Sequence, residues 1–303
     1  MDRRTFFRTC AATALASQPL RGLGAAGDAV PFKFAICNET FGKWEFEKAF
    51  AFAAKEGYKG IEIAPFTVAD YVTDVPAKKR AGIRRLAEKE GLEIVGLHWL
   101  LARTKGLHLT SPDKAVRQAT ARYLAELARF NADLGGKLLV FGSPKQRNLP
   151  KDVTREKGLQ YAAEVVREVL PVLEKTDVTL AFEPLSPRTT NFLRTAKEAV
   201  ELIKIVDAPR CRLILDCLAM SSEKTPIPEL IRTYRHYLVH FHANDPNSRG
   251  PGMGELDFVP IFRALRDIRY QGWISVEVFD YSPGPERLAR DSIRYMKKCA
   301  ARN

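Results

Sequence analysis

Glu183, Asp216, His242 and Glu277 are side chains that bind divalent cations, and each falls at or near the end of a short apolar run: VTLAFE, CRLILD, YLVHFH and WISVEVF. Successive members of the set are 33, 26 and 35 residues apart. Each interval holds one strand, one helix and two loops, so a parallel α/β array would carry all four to one rim of its sheet. One imidazole with three carboxylates is a hard, oxygen-rich set that suits Mn²⁺, Mg²⁺ or Co²⁺, with Zn²⁺ also open. A lone carboxylate at a strand end serves equally well as a helix N-cap. Three carboxylates buried together are too costly without a compensating cation, and the four residues are therefore read as one metal site.

The elements that must position them alternate along the chain. Strand-like runs at 32–37, 60–66, 93–98, 137–143, 178–183, 211–216, 237–242 and 273–279 are each followed by a helical pattern, at 45–56, 78–90, 113–134, 155–174, 195–206, 226–235, 258–268 and 285–299. The strands are rich in Val, Ile, Leu and Phe with little alternation, as in a parallel sheet covered on both faces. Eight such units close most economically as a (β/α)8 TIM barrel, with its chemistry at the C-terminal rim. A doubly wound open sheet is the alternative, but neither GxGxxG nor GxxxxGK[ST] follows the first strand.

The first 28 residues have a different character: Arg3-Arg4-Thr5-Phe6-Phe7, the small-residue run AATALAS, then LGAAGDA. They resemble a twin-arginine export signal and predict an exported, periplasmic protein, a basic N-terminus on a cytoplasmic one being the alternative. Residues 29–303 then form a single domain, with no linker or low-complexity tract. No run reaches the roughly 20 apolar residues of a membrane span. The formal charge is +12, but the basic clusters Lys78-Lys79-Arg80, Arg84-Arg85 and Lys297-Lys298 fall in helical patterns. They are read as solvated helix faces, not as a nucleic-acid surface. The five cysteines show no CxxC spacing and are read as small, mostly buried apolar residues.

EPL with TNF (183–192), LILDCLAM (213–220), HFHANDPNSRGPGMGELDF (240–258) and SVEVFDYSPGPE (275–286) resemble the sugar phosphate isomerase/epimerase family with the xylose-isomerase-like barrel. The similarity covers essentially the whole chain after the leader and is most specific between HFHAND and GELDF. In ketose 3-epimerases of that family the four strand-end ligands bind a divalent ion. The resemblance implies that Glu183 and Glu277 also form the acid/base pair, acting on opposite faces of the substrate carbon. A cation holding two vicinal oxygens of a ketose acidifies the C–H bond between them and stabilises the resulting enediolate. The expected activity is a divalent-metal-dependent sugar isomerase or epimerase, with a small keto-sugar as partner and a homo-oligomer left open.

This chain departs from the family pattern at two places: Thr189 stands where a second Glu is usual and Ala219 where a His is frequent. Both are hydroxyl contacts in the family, which points away from a simple free ketohexose as substrate. Arg249, one position further along than in the family pattern, is expected either at a substrate oxygen or bracing its loop. His98 is expected at a sugar hydroxyl, with Trp99 stacked on the ring, or packed at the rim. Glu62, in GIEIAP, is expected to point into the barrel or its rim, holding the His98 ring or reaching the substrate. His240 is read as a core or second-layer group, and Lys145, Gln146 and Arg147 as anion contacts or solvated side chains. The competing functions are a lyase or hydratase acting on a keto-glycoside, a hydrolase like the barrel endonucleases that repair abasic DNA, and an inactive sugar-binding barrel. The endonucleases use a histidine-rich three-metal cluster, and this chain has only five histidines.

Overall fold

The computed structural model describes residues 32–302. The expected leader at 1–28, with Arg3, Arg4 and Cys10, lies outside the described residues.

Strands β1 (Lys33–Cys37), β2 (Gly60–Ile63), β3 (Glu93–Leu97), β4 (Leu138–Phe141), β5 (Thr179–Phe182), β6 (Cys211–Asp216), β7 (Leu238–Ala243) and β8 (Trp273–Val276) pair in parallel, each with the next in sequence. β8 closes on β1 through Lys33↔Trp273 to Ile36↔Val276, completing the barrel. Its outer layer holds α1 (Phe46–Glu56), α2 (Ala77–Lys89), α3 (Lys114–Leu134), α4 (Arg155–Thr176), α5 (Ala196–Val206), α7 (Ile227–Thr233), α8 (Val259–Asp267) and α9 (Pro285–Ala300). A single turn absent from the sequence reading, α6 (Cys217–Met220), follows β6 directly. It forms because Asp216 turns its carboxylate back to accept the backbone N–H of Ala219 at 2.7 Å.

Local chemistry explains the helix ends. The side chains of Asp113, Thr154 and Thr195 cap α3, α4 and α5. Gly57 and Gly135 take the left-handed conformation that stops α1 and α3.

The pleat decides which residues face inward. Ala35, Val95, Leu138, Val140, Ala181 and Ile214 form a small cluster of their own, while their strand neighbours Ile36, Ile94, Leu139, Leu180 and Leu215 belong to the large core against the helices. The small cluster is the barrel interior. Two residues beyond Ala181 comes Glu183 and two beyond Ile214 comes Asp216; both therefore continue the inward row towards the C-terminal rim. His240 and His242 share one parity on β7, as do Trp273, Ser275 and Glu277 at β8. Gly96 allows β3 and β4 to approach closely, since a Cβ there would stand 2.1 Å from the Leu138 carbonyl oxygen. No described helix is long and apolar enough to cross a membrane.

Candidate active site

One ligand atom from each of Glu183, Asp216, His242 and Glu277 lies within 4.8 Å of those from the other three, and all four residues are buried. β5 and β8 end one residue before Glu183 and Glu277, so both glutamates leave from the first position past the sheet; Asp216 and His242 still lie within β6 and β7. His242 Nδ1 lies 2.9 Å from Glu277 Oε2 and 3.7 Å from Glu183 Oε1. Despite that short distance, His242 Nδ1 and Glu277 Oε2 are not aligned as a hydrogen bond and neither has another partner. Two buried lone-pair donors facing a common point, with two further carboxylates beside them, is what a cation's ligands look like.

The electrostatics agree. Burial, then repulsion from Glu183 and Glu277, pushes the Asp216 carboxyl up to about 8. Burial also raises Glu277 above the ordinary carboxylate range. Burial works against a charge on His242, yet Glu277 and Glu62 hold it well above the usual imidazole range. A pocket that draws a proton onto a buried imidazole draws a cation by the same field, and the donor set therefore fits a divalent metal ion.

Neighbouring groups fix members of the cluster. Asn244 donates to Asp216 Oδ2 at 2.6 Å while its own carbonyl accepts the Leu218 N–H, tying the end of β7 to the start of α6. Gly142 leaves room for Glu183: a Cβ on it would stand 1.9 Å from Glu183 Oε2. Asp245 organises the following loop by accepting the backbone N–H groups of Gly252, Met253 and Leu256.

A cavity of about 200 Å³ opens over the carboxylates. Glu183, Asp216 and Glu277 form its floor, and Trp99, Leu185, Leu218, Ala219 and Phe279 make an apolar wall with Thr189 among them. Trp99 and Phe279 meet edge to face at 6.1 Å, and Phe279 and Tyr281 are the two exposed large hydrophobic side chains among the described residues.

The remaining expectations fare differently. Glu62 does not reach the cavity: it is wholly buried, and it accepts from His240 Nε2 at 2.9 Å and from His242 Nε2 at 3.2 and 3.3 Å. Burial would raise its pKa, but the two imidazoles take it well below the ordinary value. His98 is not held by Glu62, whose nearest oxygen is 3.8 Å away; it hydrogen-bonds Glu39 at 2.8 Å and lies 4.0 Å behind Glu277. It is absent from the cavity lining, whereas its neighbour Trp99 is part of it. Arg249 takes the loop-bracing alternative, donating to Asp280 at 2.8 Å away from the lining. Arg147 is neither solvated nor open to an anion: it is fully buried and donates to the carbonyls of Phe141 and Glu183, with burial lowering its pKa to about 10. His240 is the core group expected, and all four described cysteines are buried and unbridged.

Sequence reasoning passed over Glu39, Asn244 and Gly142. Asn244 was accessible by parity, since it stands two residues after His242 on the inward row; Glu39 was not, since it lies in a 3₁₀ turn, Asn38–Phe41, that follows β1. Nothing in the sequence signals Gly142, whose role exists only because Glu183 folds against it.

An eight-stranded parallel barrel with a buried acidic cluster and imidazole at its C-terminal rim defines a class of metal-assisted barrel enzymes. Within it, the chain belongs to the xylose isomerase-like TIM barrel family, whose model matches residues 50–299. It is 25% identical over 273 residues to a probable ketose 3-epimerase of Synechocystis sp., covering 83% of this chain and 90% of that protein. It is 29% identical over 231 residues to a D-psicose 3-epimerase of Ruminiclostridium cellulolyticum, covering 75% of each. A 3-dehydro-D-guloside 4-epimerase of Escherichia coli is 28% identical over 176 residues, 55% of this chain and 66% of that protein. The crystal structure of a D-psicose 3-epimerase with D-tagatose from Clostridium cellulolyticum superposes with a TM-score of 0.78 at 23% identity, over 89% of this chain and 99% of the other, and confirms the fold.

Proposed function

We propose that the protein is a divalent-metal-dependent sugar epimerase that moves a proton at the carbon next to a carbonyl. The observation that carries this is the buried cluster of Glu183, Asp216, His242 and Glu277, whose three carboxylates floor a sugar-sized cavity, in a chain whose relatives are named as epimerases. A cation held by these four residues would bind two vicinal sugar oxygens and stabilise the negative charge that builds as the proton leaves.

The residues themselves do the rest. Glu183 and Glu277 come from β5 and β8, with β6 and β7 between them in the barrel, so their carboxylates approach a ligand on the floor from different sides. One removes the proton from one face of the sugar carbon and the other returns a proton to the opposite face, inverting that centre. Burial raises Glu277 and so strengthens it as a base. Asp216, tied down by Asn244 and the Ala219 N–H, has both oxygens engaged and is kept as a ligand.

The substrate belongs to the same proposal. Thr189 and Ala219 stand where hydroxyl-binding groups are common in the family, and the wall around them is apolar. Such a wall suits a keto-sugar carrying a glycosidic substituent better than a free ketohexose with its row of hydroxyls, and one relative is named for a guloside. Mn²⁺, Mg²⁺ or Co²⁺ is the proposed ion. Export through the Arg3-Arg4 leader is proposed on its sequence alone, and is tested by fractionating cells that carry the wild type or Arg3→Lys with Arg4→Lys.

The activity is tested by incubating purified protein with 3-keto-glycosides and free ketoses in D₂O, with and without a chelator. Deuterium at the carbon next to the carbonyl, together with an inverted epimer and dependence on added metal, is expected. Loss of the substituent with an unsaturated product would replace epimerisation with elimination, and metal-independent turnover would overturn the reading.

A further inference from the structure

We propose that Glu62 is a positioning residue for the cation: it keeps a proton on Nε2 of His242 and thereby leaves Nδ1 as the ligand. This rests on the metal-site reading of the cavity floor.

Glu62 is the third residue of β2, faces into the barrel and is completely buried. Its Oε2 accepts from His240 Nε2 at 2.9 Å, and both its oxygens lie 3.2 and 3.3 Å from His242 Nε2. An ionised carboxylate only accepts, so both Nε2 atoms carry hydrogen. The opposite edge of the His242 ring then presents Nδ1 towards Glu183 and Glu277, at 3.7 and 2.9 Å and with no hydrogen-bond partner of its own. His240 stands outside the four-residue cluster; its contact with Oε2 anchors the carboxylate against rotation. Glu62 thus reads two imidazoles at once, one for anchorage and one for orientation, and the second faces the cation. Ligating histidines are commonly held through their other nitrogen in this way, and loss of that partner weakens binding about 10- to 100-fold.

Glu62→Gln separates the role from simple packing. It keeps the shape but exchanges one of the two acceptors for a donor, so one imidazole loses its partner or shifts its proton to Nδ1. Mn²⁺ affinity of the full chain, read from the electron paramagnetic resonance signal of free Mn²⁺, needs no turnover. We expect wild type to bind one ion and Glu62→Gln to bind it about 10- to 100-fold more weakly per folded molecule. Equal affinity in the variant overturns the positioning role while leaving the cation site intact. No binding by wild type overturns both. If the variant fails to fold, the wild type decides: ¹⁵N histidine spectra of the Mg²⁺- or Zn²⁺-loaded protein should show His242 protonated at Nε2 with Nδ1 ligated, and ligation through Nε2 overturns the proposal.

Discussion

On and just beneath the floor of the cavity, three of the four clustered residues are held by a neighbour or by the space a neighbour leaves: Gly142 for Glu183, Asn244 for Asp216, Glu62 for His242. On its wall Leu185, Leu218, Ala219, Trp99 and Phe279 offer apolar surface and few directional contacts. The two regions line the same cavity but obey different physics. Charges taken out of water demand partners at fixed distances, whereas apolar contact tolerates changes of shape at modest cost. The floor is therefore where a reaction is specified, and the wall is where one substrate can replace another.

The comparison breaks if floor substitutions prove mild. Glu277→Gln keeps the shape and removes the proposed base, and kcat is expected to fall about 10³-fold with the fold intact by circular dichroism; a fall below tenfold would remove Glu277 from the chemistry. Gly142→Ala is next. The added Cβ would sit 1.9 Å from Glu183 Oε2, and because that carboxylate can swing aside, activity is expected to drop about 10²-fold while Tm changes little. A variant that loses stability but not activity would show that Glu183 does not need this place.

Wall substitutions should redirect the enzyme instead of stopping it. Thr189→Glu combined with Ala219→His adds hydroxyl-binding groups, and kcat/KM for free ketohexoses is expected to rise about tenfold relative to keto-glycosides. An unchanged ratio would mean that these positions do not read the substrate. The smallest effect is expected from Arg249→Ala, whose partner Asp280 is a loop residue outside the cavity lining; kcat and KM should stay within about threefold, as exposed ion pairs contribute little. A large rise in KM would return Arg249 to the substrate.

The elements were legible because their signal is local. The eight apolar runs all became strands, with β5 and β8 stopping just short of their glutamates, and every long helical pattern became a helix. The single turn of α6 escaped notice because it depends on Asp216 folding back on Ala219, a contact with no periodicity. The four clustered residues were also legible, since strand-end position and inward parity are properties of the chain.

His98, Glu62, Arg147 and Arg249 show the limit. Spacing alone brought each of them near the rim, but partners on distant strands or loops decided what each one faces: Glu39 for His98, His240 and His242 for Glu62, the Phe141 and Glu183 carbonyls for Arg147, Asp280 for Arg249. By itself the amino-acid order determined a closed parallel barrel and the four groups that face one another across its mouth, because strand period and repeat length are written locally. Only the tertiary structure decided which imidazole nitrogen faces the carboxylates and which charged side chains reach the cavity, because hydrogen-bond choice depends on atoms brought together from far apart in the chain.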